Sequence, residues 1–261
     1  MLTPEQLKAR EGKITGSQMN IIMSGNQDRI LNLWRELVGD PRYEPEDLSK
    51  VWPIRLGEAT EALNLAWYEL KYNHTLIRKG MVVVDGWKAV TLDAWDAKDD
   101  IPVEAKCVNS RVSMDDVIAR YAPQTHWQMI VTGAKKCALS VIIGGAEPIV
   151  EIIPYNADYA DSLVARARVF LDHVENLIPP CEIPKIEPPP LPVKEYDMSH
   201  SLEWESAASG WVQSYGAAQI AKEQEQKLKS LVPEDARKCW GHGVIVTRNR
   251  AGSMSLRELR T

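Results

Sequence analysis

The sequence has no uninterrupted apolar run of the 18 or more residues that a bilayer-spanning helix needs, so no membrane segment is expected. It also lacks a basic excess. Lys and Arg number 31 against 36 Asp and Glu, a net charge of -5, so the chain as a whole is not a polycation and any anion-binding surface must be local. Cysteine is scarce: Cys107, Cys137, Cys181 and Cys239 are scattered, with no C-x-x-C pair. That argues against a disulfide scaffold and fits a reducing, intracellular setting. The five histidines show no ligand-type spacing, which leaves no zinc signature. The opening residues 1–13 are polar and lack an apolar h-region, so no secretory signal is expected.

What is present is an ordinary globular composition, 44% hydrophobic and 26% charged over 261 residues. That length suits one large domain, or one domain with a small appendage. A single composition break stands out, PPCEIPKIEPPPLP at 179–192. Dense proline removes backbone donors and favours extended polyproline II, so this stretch predicts a semi-rigid linker. It divides a main domain, 1–178, from a C-terminal extension, 193–261.

Helical spacing of apolar residues predicts helices over 14–23, 28–38 and 56–72, the last with Leu63, Ala66, Trp67 and Leu70 on one face. The period then changes. Residues 81–85 and 87–93 read as strands joined at Asp85-Gly86, and 101–108 as a third strand. A helix over 114–134, interrupted near Pro123, precedes two strands, 138–143 and 149–153, and a long helix, 156–177. This order predicts an α/β fold: a central mixed β-sheet flanked by helices. The extension predicts a helix over 211–231 and a β-hairpin, 244–247 with 253–256, around a basic loop, Arg248 to Arg250. Trp34 and Trp67 fall on apolar helix faces and are expected in the core.

The informative stretch is Asp93, closing one strand, and Glu104-Ala105-Lys106 on the next. Alternate strand residues share a face, so Glu104 and Lys106 project together, and Asp93 joins them if the strands pair. Carboxylates are hard ligands for Mg²⁺ or Mn²⁺, and an adjacent ammonium can orient a water or stabilise developing phosphorane charge. The same three residues could instead be solvated charges on an edge strand. Two further segments bear on the choice: Gly57-Glu58-Ala59-Thr60-Glu61 in the preceding helix and Gln124-Thr125-His126-Trp127-Gln128 in the following one.

The order helix-Glu, strand-Asp, strand-Glu-x-Lys, helix-Gln resembles the PD-(D/E)xK nuclease superfamily, with its restriction-endonuclease-like core. More narrowly, the sequence resembles the lambda-exonuclease (YqaJ-type viral recombinase) family over roughly residues 8–178. Arg10-Glu11-Gly12-Lys13-Ile14-Thr15-Gly16-Ser17 is similar to that family's R-x-G-x-I-T-[AG]-S segment, Gly57-x-x-x-Glu61 to its G-x-x-x-E helix, and Asp93 with Glu104-Ala105-Lys106-Cys107 to its D…E-[LA]-K-C core. The resemblance implies that Asp93, Glu104, Glu61 and the Ala105 carbonyl hold catalytic metal, Mg²⁺ with Mn²⁺ as a substitute. Lys106 would orient the attacking water, and Gln124 would belong to the catalytic set. Arg10, Thr15 and Ser17 would form a 5′-phosphate pocket, although either hydroxyl could equally cap a helix. Trp52 or Ile54 would supply an apolar wedge that parts the DNA end.

Two departures are visible. The family's Q-x-Q is here Gln124-x-His126, where the histidine either replaces the second glutamine or is simply packed. Ala94 also follows Asp93 where relatives often have glycine. The implied activity is a 5′→3′ double-stranded DNA exonuclease of phage-type recombination, releasing mononucleotides and leaving 3′ overhangs. A homo-oligomer, a ring-shaped trimer in relatives, a single-strand annealing partner and a cytoplasmic location in a bacterial or phage-infected cell come with it. The rivals are an endonuclease of the same superfamily, which would cut closed circles, and a non-catalytic DNA-binding module. The scattered cysteines argue against the iron–sulfur cluster of a cousin branch.

Overall fold

Alternation along a single strand, β6 (Ile101–Val108), organises the fold. Val103 and Ala105 face one way, into a cluster with Leu65, Tyr68, Leu76, Ala94 and Ala138, which leaves Glu104 and Lys106 on the other side. The structure, a computed structural model, describes residues 3–45, 47, 50–191 and 195–259. The chain divides into two compact units, Met1–Pro192 and Val193–Thr261.

In the first unit, β6 runs parallel to β7 (Lys136–Ile143) and antiparallel to β5 (Ala94–Asp96), in a five-stranded mixed sheet completed by β2 (Leu76–Ile77) and β8 (Ile149–Pro154), order β2-β5-β6-β7-β8. A parallel pair needs a crossover, and α5 (Met114–Thr132) supplies it. One face of the sheet is covered by α4 (Trp52–Tyr72). The opposite face carries the main core, where Trp127 and Met129 of α5 meet Leu139, Val141, and Leu163 and Phe170 of α6 (Ala157–Glu175). This is the mixed sheet with flanking helices that the sequence predicts.

Several details differ from the sequence reading. A short helix, α1 (Pro4–Arg10), opens the chain. The predicted helix over 14–23 is instead a two-residue strand, β1 (Ile14–Thr15), followed by α2 (Gly16–Ile22) and later α3 (Gln27–Val38). The hairpin at Asp85-Gly86 forms as β3 (Val82–Asp85) and β4 (Lys88–Thr91), but it joins β1 in a separate three-stranded sheet. The partner of β6 is therefore β5, with Ala94 opposite Val103. Asp93 sits at the bend between β4 and β5. Helix α5 is continuous through Pro123, whose missing N–H removes the one helical bond that would run to the carbonyl of the exposed Ala119.

The expected inner face of α4 is also corrected. Leu63 and Leu70 are 65% and 85% exposed, Trp67 is half-buried, and the residues turned inward are Asn64, Leu65 and Tyr68. Periodicity counts Asn64 as polar, yet its Nδ2 donates to the Ser140 carbonyl at 2.9 Å and Tyr68 Oη donates to Asp96 Oδ2 at 2.9 Å. Those bonds remove the cost of burial. Trp34, by contrast, is in the core as expected and donates to the His173 carbonyl at 3.0 Å.

The proline-rich stretch belongs to the first unit rather than standing clear of it. Ile183 is buried, the Gln27 amide bonds both its carbonyl (2.6 Å) and its N–H (3.2 Å), and Arg166 donates to the Pro184 carbonyl at 2.9 Å. Proline carbonyls need outside donors, and these side chains supply them. Residues 192–194, where the predicted linker ends and the extension begins, lie outside the described residues.

The second unit contains α7 (Leu202–Ser230), longer than predicted, and an antiparallel sheet of β9 (Lys238–Gly241), β10 (Val244–Arg248) and β11 (Met254–Glu258). The predicted hairpin is β10–β11, and β9 adds a third strand.

Candidate active site

Glu104 and Lys106 form an ion pair on β6, and Lys106 Nζ lies 4.0 Å from Asp93 Oδ2. Asp93 is tied to the same strand, because Oδ2 accepts from the Ala105 N–H at 2.9 Å. Two carboxylates thus share one ammonium in a largely buried site. Burial first, and the Glu104 charge second, push the Asp93 carboxyl up to about 8. For Lys106 burial acts in the lowering direction, but the Glu104 and Asp93 charges outweigh it and hold the ammonium above its ordinary range.

Glu104 is fully buried and is held by two amides of α5: Gln124 Nε2 donates to Oε1 and Gln128 Nε2 to Oε2. These residues are four apart, the spacing that places both on one face of a helix. Gln128 is a residue the sequence reading passed over, and the i, i+4 spacing from Gln124 is the signal that identifies it. Gln124 is fixed in turn by Asn20, which donates to its Oε1 at 3.0 Å and accepts from its backbone N–H at 3.1 Å. The Cys137 thiol donates to Gln128 Oε1 at 3.5 Å.

His126 points away from this group. It is buried, Nδ1 is 2.9 Å from the Ala122 carbonyl, and its ring stands edge-on to Tyr159 with centroids 4.9 Å apart. Burial lowers its pKa from 6.5. A histidine kept neutral in the fold but free to protonate when unfolded costs stability as pH falls below 6.5. His126→Phe is therefore expected to flatten the acid side of the stability profile below pH 6.5, read by thermal melts from pH 7 to 5. A sloping acid limb retained in His126→Phe would show that this ring does not carry the effect.

Arg10, Thr15 and Ser17 come to the same place. With Gly16, Thr91, Asp93, Gln124 and Gln128 they line a pocket of about 180 Å³. Arg10 is half-buried, its pKa lowered by burial, and no side chain bonds to it among the described residues. Thr15 Oγ1 and Ser17 Oγ are 3.4 Å apart, while the Thr15 N–H donates to Gln18 Oε1 at 2.8 Å. Thr91, given no role in the sequence reading, adds a hydroxyl here: its buried Oγ1 has no partner among the described residues. Gly16 has a steric reason, since a Cβ there would stand 3.3 Å from Gln124 Cγ.

A separate cleft of about 640 Å³ is lined by Glu61, Asn64, Ala105 and Lys106 together with Trp52 and Ile54. Trp52 is 67% exposed. Glu61 is exposed on α4, near enough for its charge to raise Asp93. Asn64, three residues on, is the buried bolt between this helix and the sheet.

The donors suit a hard divalent cation. Once a cation displaces the Asp93 proton, Asp93 and Glu104 leave one negative charge uncompensated by Lys106, the nearby Glu61 adds another, and the Ala105 carbonyl adds a neutral oxygen. Among the described residues, three metal-ligating side chains gather within 4.8 Å at a different place, His74, Asp96 and Asp99. There the Asp96 oxygens are already taken by His74 (2.6 Å), Tyr68 (2.9 Å) and the N–H groups of Lys98 (2.9 Å) and Asp99 (3.3 Å).

No curated protein matches the chain in sequence. Among solved structures, an alkaline exonuclease, LHK-Exo, from Laribacter hongkongensis is 19% identical, with 67% of this chain and 94% of that one covered and a TM-score of 0.56. LHK-Exo in complex with dAMP gives the same identity and coverage with a TM-score of 0.57. At that identity the likeness establishes a shared fold. The family profile described as the YqaJ-like viral recombinase domain matches residues 5–135, half of the chain, and with that match the chain belongs to the YqaJ-like viral recombinase domain family.

Proposed function

We propose that this protein is a Mg²⁺-dependent deoxyribonuclease that degrades double-stranded DNA from its ends in the 5′→3′ direction, releasing mononucleotides and leaving a 3′ overhang. The observation that carries the reading is the shared pocket: the cation and hydroxyls of Arg10, Thr15, Ser17 and Thr91 line it together with Asp93 and the glutamines that hold Glu104. A terminal phosphate held there lies next to the carboxylates. Arg10 suits the task because its planar fork grips phosphate oxygens two at a time.

Asp93, Glu104, the Ala105 carbonyl and Glu61 would hold the Mg²⁺, with Mn²⁺ able to substitute. When bound, such an ion polarises the scissile phosphate and makes a water more acidic. Lys106 aligns the attacking water and offsets charge at the phosphorus. Gln124 and Gln128 hold both Glu104 oxygens, so the carboxylate does not reorient between turnovers. Trp52 and Ile54, in the wall of the larger cleft, form the wedge that parts the end. Assembly as a homo-oligomeric ring, a trimer as in relatives, delivery of the overhang to a single-strand annealing protein and a cytoplasmic location in a bacterial or phage-infected cell complete the proposal.

The test uses linear duplexes labelled at the 5′ or 3′ end, carrying a 5′-phosphate or 5′-hydroxyl, with Mg²⁺ or EDTA, beside closed circles. Mg²⁺-dependent release of 5′ label as mononucleotide, faster with phosphate, is the expected result. Arg10→Gln should remove most of the preference for phosphate, about 10- to 100-fold, the worth of a charge-assisted bond of about 1.5–3 kcal/mol. Cutting of circles would make the enzyme an endonuclease, and binding without cutting would make it a DNA-binding module.

A further inference from the structure

A second cleft, of about 550 Å³, has no role in the site just described. Four cations from separate stretches of chain line it: Arg29 on α3, Arg111 after β6, Arg120 on α5 and Lys185 on the proline-rich segment. Asp116 is the single carboxylate among the lining residues, and its Oδ2 is occupied by the Ser113 hydroxyl at 2.6 Å. No ion pair involves Arg29, Arg111 or Arg120 among the described residues, whereas Lys185 meets Glu187 at 2.7 Å with both side chains more than half exposed. An exposed pair of that kind contributes little and yields readily to a phosphate. Lys185 is firmly placed, because a Cβ on Gly25 would lie 2.6 Å from its backbone nitrogen and only glycine permits the approach.

This cleft adjoins the active site. Val112, Arg120 and Tyr121 line both the 640 Å³ cleft and this one. The Tyr121 ring centroid is 5.3 Å from Lys106 Nζ, and Asn20, in the wall of the second cleft, is the residue that fixes Gln124. One aromatic ring therefore stands between the catalytic lysine and a concave run of cations. The volume is that of a small-ligand pocket, enough for a short length of one strand and too little for a duplex. Cations along a groove with an aromatic ring in its wall are what an unpaired strand requires: phosphate contacts and a stacking partner.

We propose that the second cleft binds the backbone of single-stranded DNA beside the active site, namely the strand left unpaired as its complement is removed. The inference rests on the reading of the site as a nuclease acting on DNA ends. It is tested with the full chain in EDTA, by fluorescence anisotropy on a blunt duplex and on the same duplex with a 3′ single-stranded tail. The wild-type protein should bind the tailed DNA about tenfold more tightly or better. Arg29→Glu/Lys185→Glu should abolish that advantage, and Arg29→Gln/Lys185→Gln should reduce it. The slope of log K against log salt on tailed DNA should fall by about 1.4 in the double-Gln variant, about 0.7 for each lost phosphate contact. Both pairs of substitutions are at exposed positions, and an unchanged thermal midpoint verifies folding. No advantage for the tail in the wild type, or variants that weaken blunt and tailed DNA equally, would overturn the proposal. Mg²⁺-dependent cleavage of the blunt duplex by the wild type checks the underlying reading separately. Cleavage without a tail advantage removes only the cleft assignment, and absence of cleavage removes the nuclease reading whatever the tail does.

Discussion

Lys106→Met is expected to abolish cleavage, by about 10²–10³-fold or more in the single-turnover rate, with binding of a DNA end changed much less. Methionine keeps the length of the chain and removes the charge, so the variant isolates what the ammonium does. Among the described residues, Lys106 is the one cation that pairs with both carboxylates, meeting Glu104 and lying 4.0 Å from Asp93. A preorganised donor aimed at the reacting group gives an effect of that size when deleted. The substitution also leaves two buried carboxylates without their ammonium. Breaking a buried pair from one side costs about 3–5 kcal/mol when the remaining charge cannot neutralise. Here Asp93, pushed up to about 8, already carries its proton near pH 6 and offers no further neutralisation, so Glu104 is left unpaired and the variant should melt lower than the wild type in chelator, the more so as pH rises through 8 and the wild-type Asp93 ionises beside its ammonium. Full cleavage by Lys106→Met would remove this lysine from the mechanism, whereas loss of cleavage together with loss of DNA binding would point to collapse of the site.

The second large effect concerns stability without metal. Asp93 ordinarily titrates at 3.8 and in the fold is pushed up to about 8, first by burial and then by the Glu104 charge. Below 3.8 the group is protonated in both states and makes no difference between them. Between 3.8 and 8 the folded chain retains a proton that the unfolded chain releases, so rising pH favours unfolding. The slope is at most about 1.4 kcal/mol per pH unit, and the loss is complete once pH passes the folded value. Metal-free protein should therefore melt progressively lower from pH 5 to pH 8. Asp93→Asn, which retains an oxygen for the Ala105 N–H, should flatten that decline. It should also raise the metal-free midpoint at pH 8 on the order of 5–10 °C while eliminating cleavage. Mg²⁺ should stabilise the wild type more at pH 8 than at pH 5, because the cation takes the place of the proton. Parallel pH profiles for wild type and variant would show that Asp93 does not carry this charge.

Much of the architecture was legible because its determinants are local. Residues 101–108 read as a strand and are one, since β-branched residues and period-two alternation act within a few residues. The Asp85-Gly86 turn likewise announces its hairpin. The predicted helices over 28–38 and 156–177 form at nearly those bounds, where a broad apolar stripe leaves little choice. On α4 the same rule picked the wrong side. Leu63 and Leu70 supply an apolar stripe as regular as the one that is buried, and the choice between them is made by Ser140 and Asp96, which are distant in sequence and accept from or bond to Asn64 and Tyr68. The Asp93 strand was misread for a related reason: three residues, 94–96, form a strand only because β6 and β2 lie on either side.

For the candidate site, the sequence by itself determined the chemical types and their order: Glu61, Asp93, Glu104, Lys106 and Gln124 on successive elements, and the alternation that sets Glu104 beside Lys106. Tertiary structure alone decided which groups share a pocket. Arg10 and Thr15 reach Asp93 because β1 pairs with β4, and Gln128 rather than His126 reaches Glu104 because α5 turns that face toward β6. Periodicity specifies which side of an element a residue occupies, but what that side meets depends on contacts whose partners lie as much as 156 residues away. No local pattern encodes those partners.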